Sequence, residues 1–207
     1  MLILSEYTWA KDKYISDHRT IHIASANRQI DAVYTMHKNI KTDIANIYFW
    51  CDNTSIYQTQ GNYSGHLLDG TYTEYYFPGN NLCSKGEFRN GLKTGIWVSW
   101  LENGKLKETS YWKKGKLTDE RCIYDESGKI VRTENYKNGL LNGKVIEITK
   151  DTPVYTNYRN GLLKLRTPEI KKDSIKSTHK SGKVQVTPGK NLLNRTWDKI
   201  KNVFSFL

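Results

Sequence analysis
A chain of 207 residues can bury a real core in one large domain or two small ones. Its hydrophobic share is only 37%, with Trp 6, Tyr 14 and Phe 5, so any core must lean on aromatic rings. Lys and Arg number 32 against 21 Asp and Glu, a formal +11, yet no apolar run is long enough for a bilayer-spanning helix.

The chain opens on Met1-Leu-Ile-Leu, which lacks a basic start, a long apolar stretch and a small-residue cleavage site. It does not read as a signal peptide as it stands. The cytoplasm is the default compartment, and the envelope or periplasm would require an upstream leader. Cys51, Cys83 and Cys122 are an odd count with wide spacings, fitting neither a disulfide framework nor a zinc site.

Residues 1–62 hold short β-like runs at Thr20–Ala24, Ile30–Met36, Asn46–Cys51 and Ser55–Thr59. The last two, around Asp52-Asn53-Thr54, look like a degenerate first hairpin. The earlier two are expected to form a capping region, which a repeat array needs at its end.

Residues 63–165 are organised by a repeat. Leading glycines Gly65, Gly91, Gly115, Gly139 and Gly161 lie 26, 24, 24 and 22 residues apart. The closest copy is Asn90-Gly-Leu-Lys-Thr-Gly-Ile-Trp-Val-Ser-Trp100. A second turn divides each copy, at Pro78-Gly79-Asn80, Asn103-Gly104, Ser127-Gly128 and Asp151-Thr-Pro153. A ring then closes it at Phe88, Trp112, Tyr136 and Tyr158, with Tyr63 before them. Asn-Gly between alternating apolar residues is a strong hairpin signal, because a type I′ turn needs positive φ at both central positions. Two turns per copy leave two strands of about five to seven residues each. The glycines Gly91, Gly95, Gly104, Gly115, Gly128, Gly139, Gly143 and Gly161 are therefore structural. Tyr72, Tyr75, Trp97 and Trp100 are expected on one face, stacked on equivalent rings of the next copy. A protein partner would meet Tyr72, Tyr75, Trp97, Trp100 and Tyr124 there, although many of these rings must also be core.

The pattern Asn-Gly-x-x-x-Gly-x-Trp-x-x-Trp/Tyr, then Asn-Gly-Lys-Leu and Lys-Asn-Gly, resembles the MORN repeat. It is more similar still to the bacterial YwqK-like variant, often labelled an antitoxin component. Asp119 stands where the second glycine of the third copy would be and Arg121 where its first ring would be, while Val145 and Ile148 replace rings in the fourth. The resemblance implies an all-β scaffold that holds partners, an elongated single-layer ribbon of consecutive antiparallel hairpins. It carries over no catalytic residue and no cofactor.

Beyond residue 163 the composition changes. Residues 164–207 hold 11 Lys and Arg against three acids, a net +8, whereas residues 1–163 carry only +3. Residues 166–189 have the makeup of a flexible basic linker. Residues 190–207 then place Leu192, Leu193, Trp197, Ile200, Val203, Phe204 and Leu207 on one helical face. This amphipathic helix could cap the body, dock on a partner's groove or lie on a membrane surface.

Other chemistry finds no foothold. His18 and His22 are four apart, but their segment reads extended and supplies no thiolate, so zinc is not expected, and Glu74, Glu87, Glu102 and Glu108 form no acid–base pair that can be argued. No nucleophile elbow, phosphate loop or metalloprotease motif occurs. The basic residues between 164 and 189 have no aromatics among them, which argues against nucleic acid. The expectation is a non-catalytic scaffold without metal, cofactor or small-molecule substrate, a subunit or accessory of a bacterial assembly. The tail helix would be its second docking element. Peripheral membrane binding through the basic tail and an antitoxin role are the alternatives.

Overall fold
The computed structural model describes residues 17–165, and every regular element among them is a β-strand. The strands are β1 (His18–Ala24), β2 (Arg28–Thr35), β3 (Ile47–Cys51), β4 (Ile56–Gln60), β5 (His66–Tyr76), β6 (Leu82–Arg89) and β7 (Leu92–Trp100). They continue as β8 (Leu106–Lys113), β9 (Lys116–Tyr124), β10 (Ile130–Lys137), β11 (Leu140–Leu141), β12 (Gly143–Thr149), β13 (Thr152–Arg159) and β14 (Leu162–Leu163). Successive strands pair antiparallel in the order β1-β2-β5-β6-β7-β8-β9-β10-β12-β13-β14, an open sheet of consecutive hairpins. The linker expected at 166–189 and the helix expected at 190–207 lie outside the described residues. So do Leu193, Trp197, Ile200, Val203, Phe204 and Leu207.

The hairpin expected from residues 46–59 is present, and the two earlier runs, expected as a capping region, pair with each other as β1 and β2. β3 pairs with β4 through the turn at Asp52, whose carboxylate accepts the N–H groups of Thr54 and Ser55 at 2.8 Å each. β1–β2 joins the main sheet by pairing β2 with β5, and β3 pairs with the start of β5 at Leu67 and His66.

The repeat works through its turns. Asn90-Gly91, Lys114-Gly115, Asn138-Gly139 and Asn160-Gly161 all have positive φ at both residues, the type I′ geometry. Each of these four glycines then donates its N–H to a carbonyl of the preceding copy. The pairs are Gly91 to Leu68 (2.7 Å), Gly115 to Lys93 (2.9 Å), Gly139 to Leu117 (2.8 Å) and Gly161 to Leu141 (2.8 Å). The four turns are thereby stitched into a column along one end of the sheet.

One turn differs from expectation. The hairpin joining β12 to β13 turns at Lys150 and Asp151, both with positive φ, and not at Asp151-Thr-Pro153. Pro153 instead sits in β13 opposite Ile148. Proline is tolerated there because β13 is paired on its outer side only at Tyr158 and Arg159.

A second glycine position carries an unforeseen feature. The sheet register shifts where β5, β7 and β9 pass Gly70, Gly95 and Asp119, all of which have positive φ. Each first strand is thus bulged, and the bulge increases its twist. Asp119 adopts φ 57° because a short polar side chain tolerates the left-handed region better than most.

The hydrophobic core gathers Ile21, Ala32, Cys51, Leu68, Phe88 and Trp97, with Phe49, Tyr72 and Trp112 packed against it. Trp97 lies over Gly86, where a Cβ would come within 2.3 Å of the indole.

Candidate protein-binding faces
Neighbouring side chains of a strand point to opposite faces, so the register sorts the candidate residues. Continuous cross-strand partners Asp31, Thr73, Lys85, Val98, Thr109, Cys122, Thr133, Ile146 and Tyr155 run across one face. On the other run Ile30, Glu74, Ser84, Ser99, Glu108, Ile123, Arg132 and Glu147. Trp97, Ser110, Arg121 and Glu134, successive cross-strand partners, share that second face.

The single ring face expected from the sequence is therefore corrected. Tyr72 and Tyr75 are three residues apart in a regular stretch of β5, as are Trp97 and Trp100 in β7, and three is an odd number. Tyr72 and Trp97 share the second face, with ring centroids 5.5 Å apart. Tyr75, Trp100 and Tyr124 fall on the first. Trp97 and Trp100 are each only 5% exposed, so both are packing residues. Tyr72, Tyr75 and Tyr124 are half-buried.

Where Tyr72 and Trp97 meet, Phe88 packs edge-on at 5.6 and 5.0 Å. The ammonium of Lys93 lies 4.0 Å from the Trp97 centroid and 5.0 Å from that of Trp112. Burial lowers its pKa, while Glu108 and Glu74 oppose the shift. The rings favour a cation at this spot through their electron-rich faces.

One copy further along, the ring row ends and an ionic ladder replaces it. Arg121, in the ring position, reaches Glu108 through Nη2 at 2.7 Å and Glu134 through Nη1 at 2.9 Å. Arg132 holds Glu134 through Nε at 2.7 Å and Glu147 through Nη1 at 3.0 Å. Tyr136 donates its hydroxyl to Glu134 at 3.0 Å. Glu134 is 4% exposed, and burial alone would raise its pKa. The donors Arg132, Tyr136 and Arg121 outweigh burial and hold its pKa below the usual carboxylate value. A buried carboxylate needs such partners.

The histidines have carboxylate partners brought by the fold. His18 Nε2 lies 2.9 Å from Asp69, whose other oxygen accepts the Asn90 N–H at 3.1 Å. His22 Nδ1 lies 2.7 Å from Asp31. The His18–Asp69 pair edges an open groove of about 520 Å³, lined also by Arg19, Glu87 and Arg89. Among the described residues no group of three His, Cys, Asp or Glu is placed to hold a metal.

Burial along the first face falls away at its far end. Val98, Thr109, Cys122 and Thr133 are buried, Ile146 is half-buried and Tyr155 is 50% exposed. Ile148, near Tyr155 across the β12–β13 pair, is exposed too, and the Lys144 ammonium lies 4.0 Å over the Tyr155 ring; Leu140 and Leu162, exposed as well, sit at the other end of these strands opposite Lys137 and Arg159. Sequence reasoning missed this patch because its residues are ordinary core types. The chain matches no protein-family model, no curated protein and no solved structure.

Proposed function
We propose that this protein is a non-catalytic MORN-like repeat scaffold that holds protein partners, as a subunit or accessory of a bacterial multiprotein assembly. The supporting observation is that Tyr155, Ile148, Leu140 and Leu162 leave large apolar side chains exposed along the last hairpins. Large apolar side chains left together on a surface mark an interaction site. Residues 190–207, with Trp197, Ile200 and Phe204 as anchors, would supply a second, tethered contact. Two linked contacts raise effective concentration, so modest individual affinities give a stable assembly.

Affinity purification from the native host tests this. The wild-type chain is expected to recover a partner that a Tyr155→Asp, Leu162→Asp variant loses. Deletion of residues 190–207 should weaken the same partner's recovery. Equal recovery by the wild-type and patch-variant chains would overturn the assignment of the patch, and equal recovery by the truncated chain would overturn the role of the tail.

A further inference from the structure
The sheet ends differently on its two sides. Among the described residues, β1 pairs with β2 alone and no strand lies beyond it. Met36 donates its N–H to the Asp17 carbonyl at 2.8 Å and Ser25 to the Arg28 carbonyl at 2.8 Å, both in the register of the β1–β2 pair. In an antiparallel pair, bonded residues alternate with residues whose N–H and C=O point away from the partner strand. The odd-numbered residues of β1 therefore bond β2, while Thr20, His22 and Ala24 direct their N–H and C=O outward. All three are exposed.

The opposite edge is blunted. Lys164 donates its N–H to the Asn157 carbonyl at 2.7 Å, so the odd-numbered residues of β13 face outward. Pro153 is one of them and has no N–H to offer there. β4 also pairs on one side only, but it has five residues, and Asn62 donates its N–H to the Gln60 carbonyl at its end. β1 has seven residues in an unbroken register, with neither proline nor lysine. A regular edge strand without such blocking devices is a template for pairing with another chain.

The strand also matches itself. Antiparallel pairing about a two-fold axis at Ile21 sets Thr20 of each copy opposite His22 of the other. Both are outward residues, so these two symmetric pairs exchange four backbone hydrogen bonds. Ile21 then meets its own counterpart on the second face, where it belongs to the core and Ile23 and Ile30 pack against it. Arg19 falls opposite Ile23 and not opposite a second Arg19. On the first face His22 keeps its bond to Asp31, so no like charges oppose each other. Going beyond the scaffold reading and independent of the exposed residues of the last hairpins, we infer that β1 is the interface of a symmetric dimer in which two copies of this chain join their sheets edge to edge.

The test is sedimentation velocity of the full chain at about 5–500 µM, a range that spans the affinity of a small interface. A reversible monomer–dimer equilibrium is expected, with a dissociation constant on the order of 10–100 µM. Thr20→Pro removes one outward donor from each copy and no β1–β2 bond, and it should weaken association by about tenfold or more. Two further variants leave the backbone untouched. Thr20→Lys with His22→Lys sets like charges opposite across the axis, whereas Thr20→Glu with His22→Lys sets opposite charges there. The second should associate about tenfold more tightly than the first. Equal association of these two variants would overturn the inference. So would a full chain that stays monomeric, as it would if residues 1–16 or a strand of another protein filled the edge. Species that grow beyond the dimer would also overturn it, because they need a head-to-tail contact. Loss of the dimer in the Tyr155→Asp, Leu162→Asp variant with retention in Thr20→Pro would move the contact to the last hairpins and overturn it as well.

Discussion

The indole of Trp97 rests on the bare backbone of Gly86, with room for nothing between them. A Cβ at Gly86 would lie 2.3 Å from two ring atoms, and the indole N–H is already committed to the Glu87 carbonyl at 3.2 Å. Gly86 has an ordinary φ, so the requirement is one of space and not of backbone freedom. Gly86→Ala is expected to destabilise the fold by about 1–3 kcal/mol, the usual range for overpacking a dense core. Urea unfolding checks it. In a Trp97→Ala background the same substitution should cost less than about 0.5 kcal/mol, because the clash is gone.

Arg121 replaces a ring, and the sheet survives because Glu108 and Glu134 receive its charge. Truncation to Arg121→Ala leaves the buried Glu134 with one fewer cation, at a cost of about 2–3 kcal/mol. The two partners lie 13 residues before and after it, set by the strand register. Arg121→Trp restores the ring character of the row but leaves Glu134 equally short of charge. It should therefore fall below the wild type, and higher stability of Arg121→Trp would remove the ladder's role.

The same carboxylate sets a pH dependence. The folded pKa of Glu134 lies below its unfolded value near 4.3, so its contribution is complete above that pH. It is lost as pH falls through the folded value. The melting temperature of the wild type should drop on acidification below about pH 4.5, and that of Glu134→Gln should drop less steeply. Some slope remains in the variant. Asp52, held at about 2 by the backbone N–H groups of Thr54 and Ser55, titrates in the same direction. Asp125, lowered first by the Ser127 hydroxyl, does likewise.

Much of this sheet is legible in the residues, and the failures are instructive. Asn-Gly announces a turn because few other pairs accept two positive φ values, so the hairpins at Gly91 and Gly139 could be placed before any coordinates. The sharing of rings between faces could not, since Trp97 and Trp100 look alike until strand parity separates them. The bulges were only half visible. Gly95 and Gly143 stood out as a repeat feature, but a glycine inside a strand does not say where register shifts. The ladder was the least legible part. Glu108 and Glu134 resemble any surface acids until the pairing of β8, β9 and β10 brings them to Arg121.

Asp119 offers a test of the bulge. It occupies the position held by Gly95 in the preceding copy, at φ 57° against 67°. An L residue pays for this conformation and glycine does not. Asp119→Gly should therefore stabilise the protein by about 0.5–1 kcal/mol, and Asp119→Val should destabilise it by about 1–2 kcal/mol. A glycine variant that is less stable would mean that the carboxylate itself holds the bulge.

The three thiols should separate by reactivity. Burial pushes the Cys51 thiol up to about 11, aided by Asp52, and the Cys122 thiol up to about 12, aided by Glu120. Both are 1% exposed. Cys83 is half-buried, and burial raises its pKa as well, with Tyr76 and Arg28 working against the shift. The thiolate is the reactive species, so access and acidity both favour Cys83. With a disulfide reagent at pH 8, one thiol should react in the native state at least tenfold faster than the other two. Cys83→Ser should remove that fast phase, and Cys51 and Cys122 should appear only as urea unfolds the sheet. A fast phase that survives in Cys83→Ser would place one of the buried thiols at the surface, contradicting its position in the core.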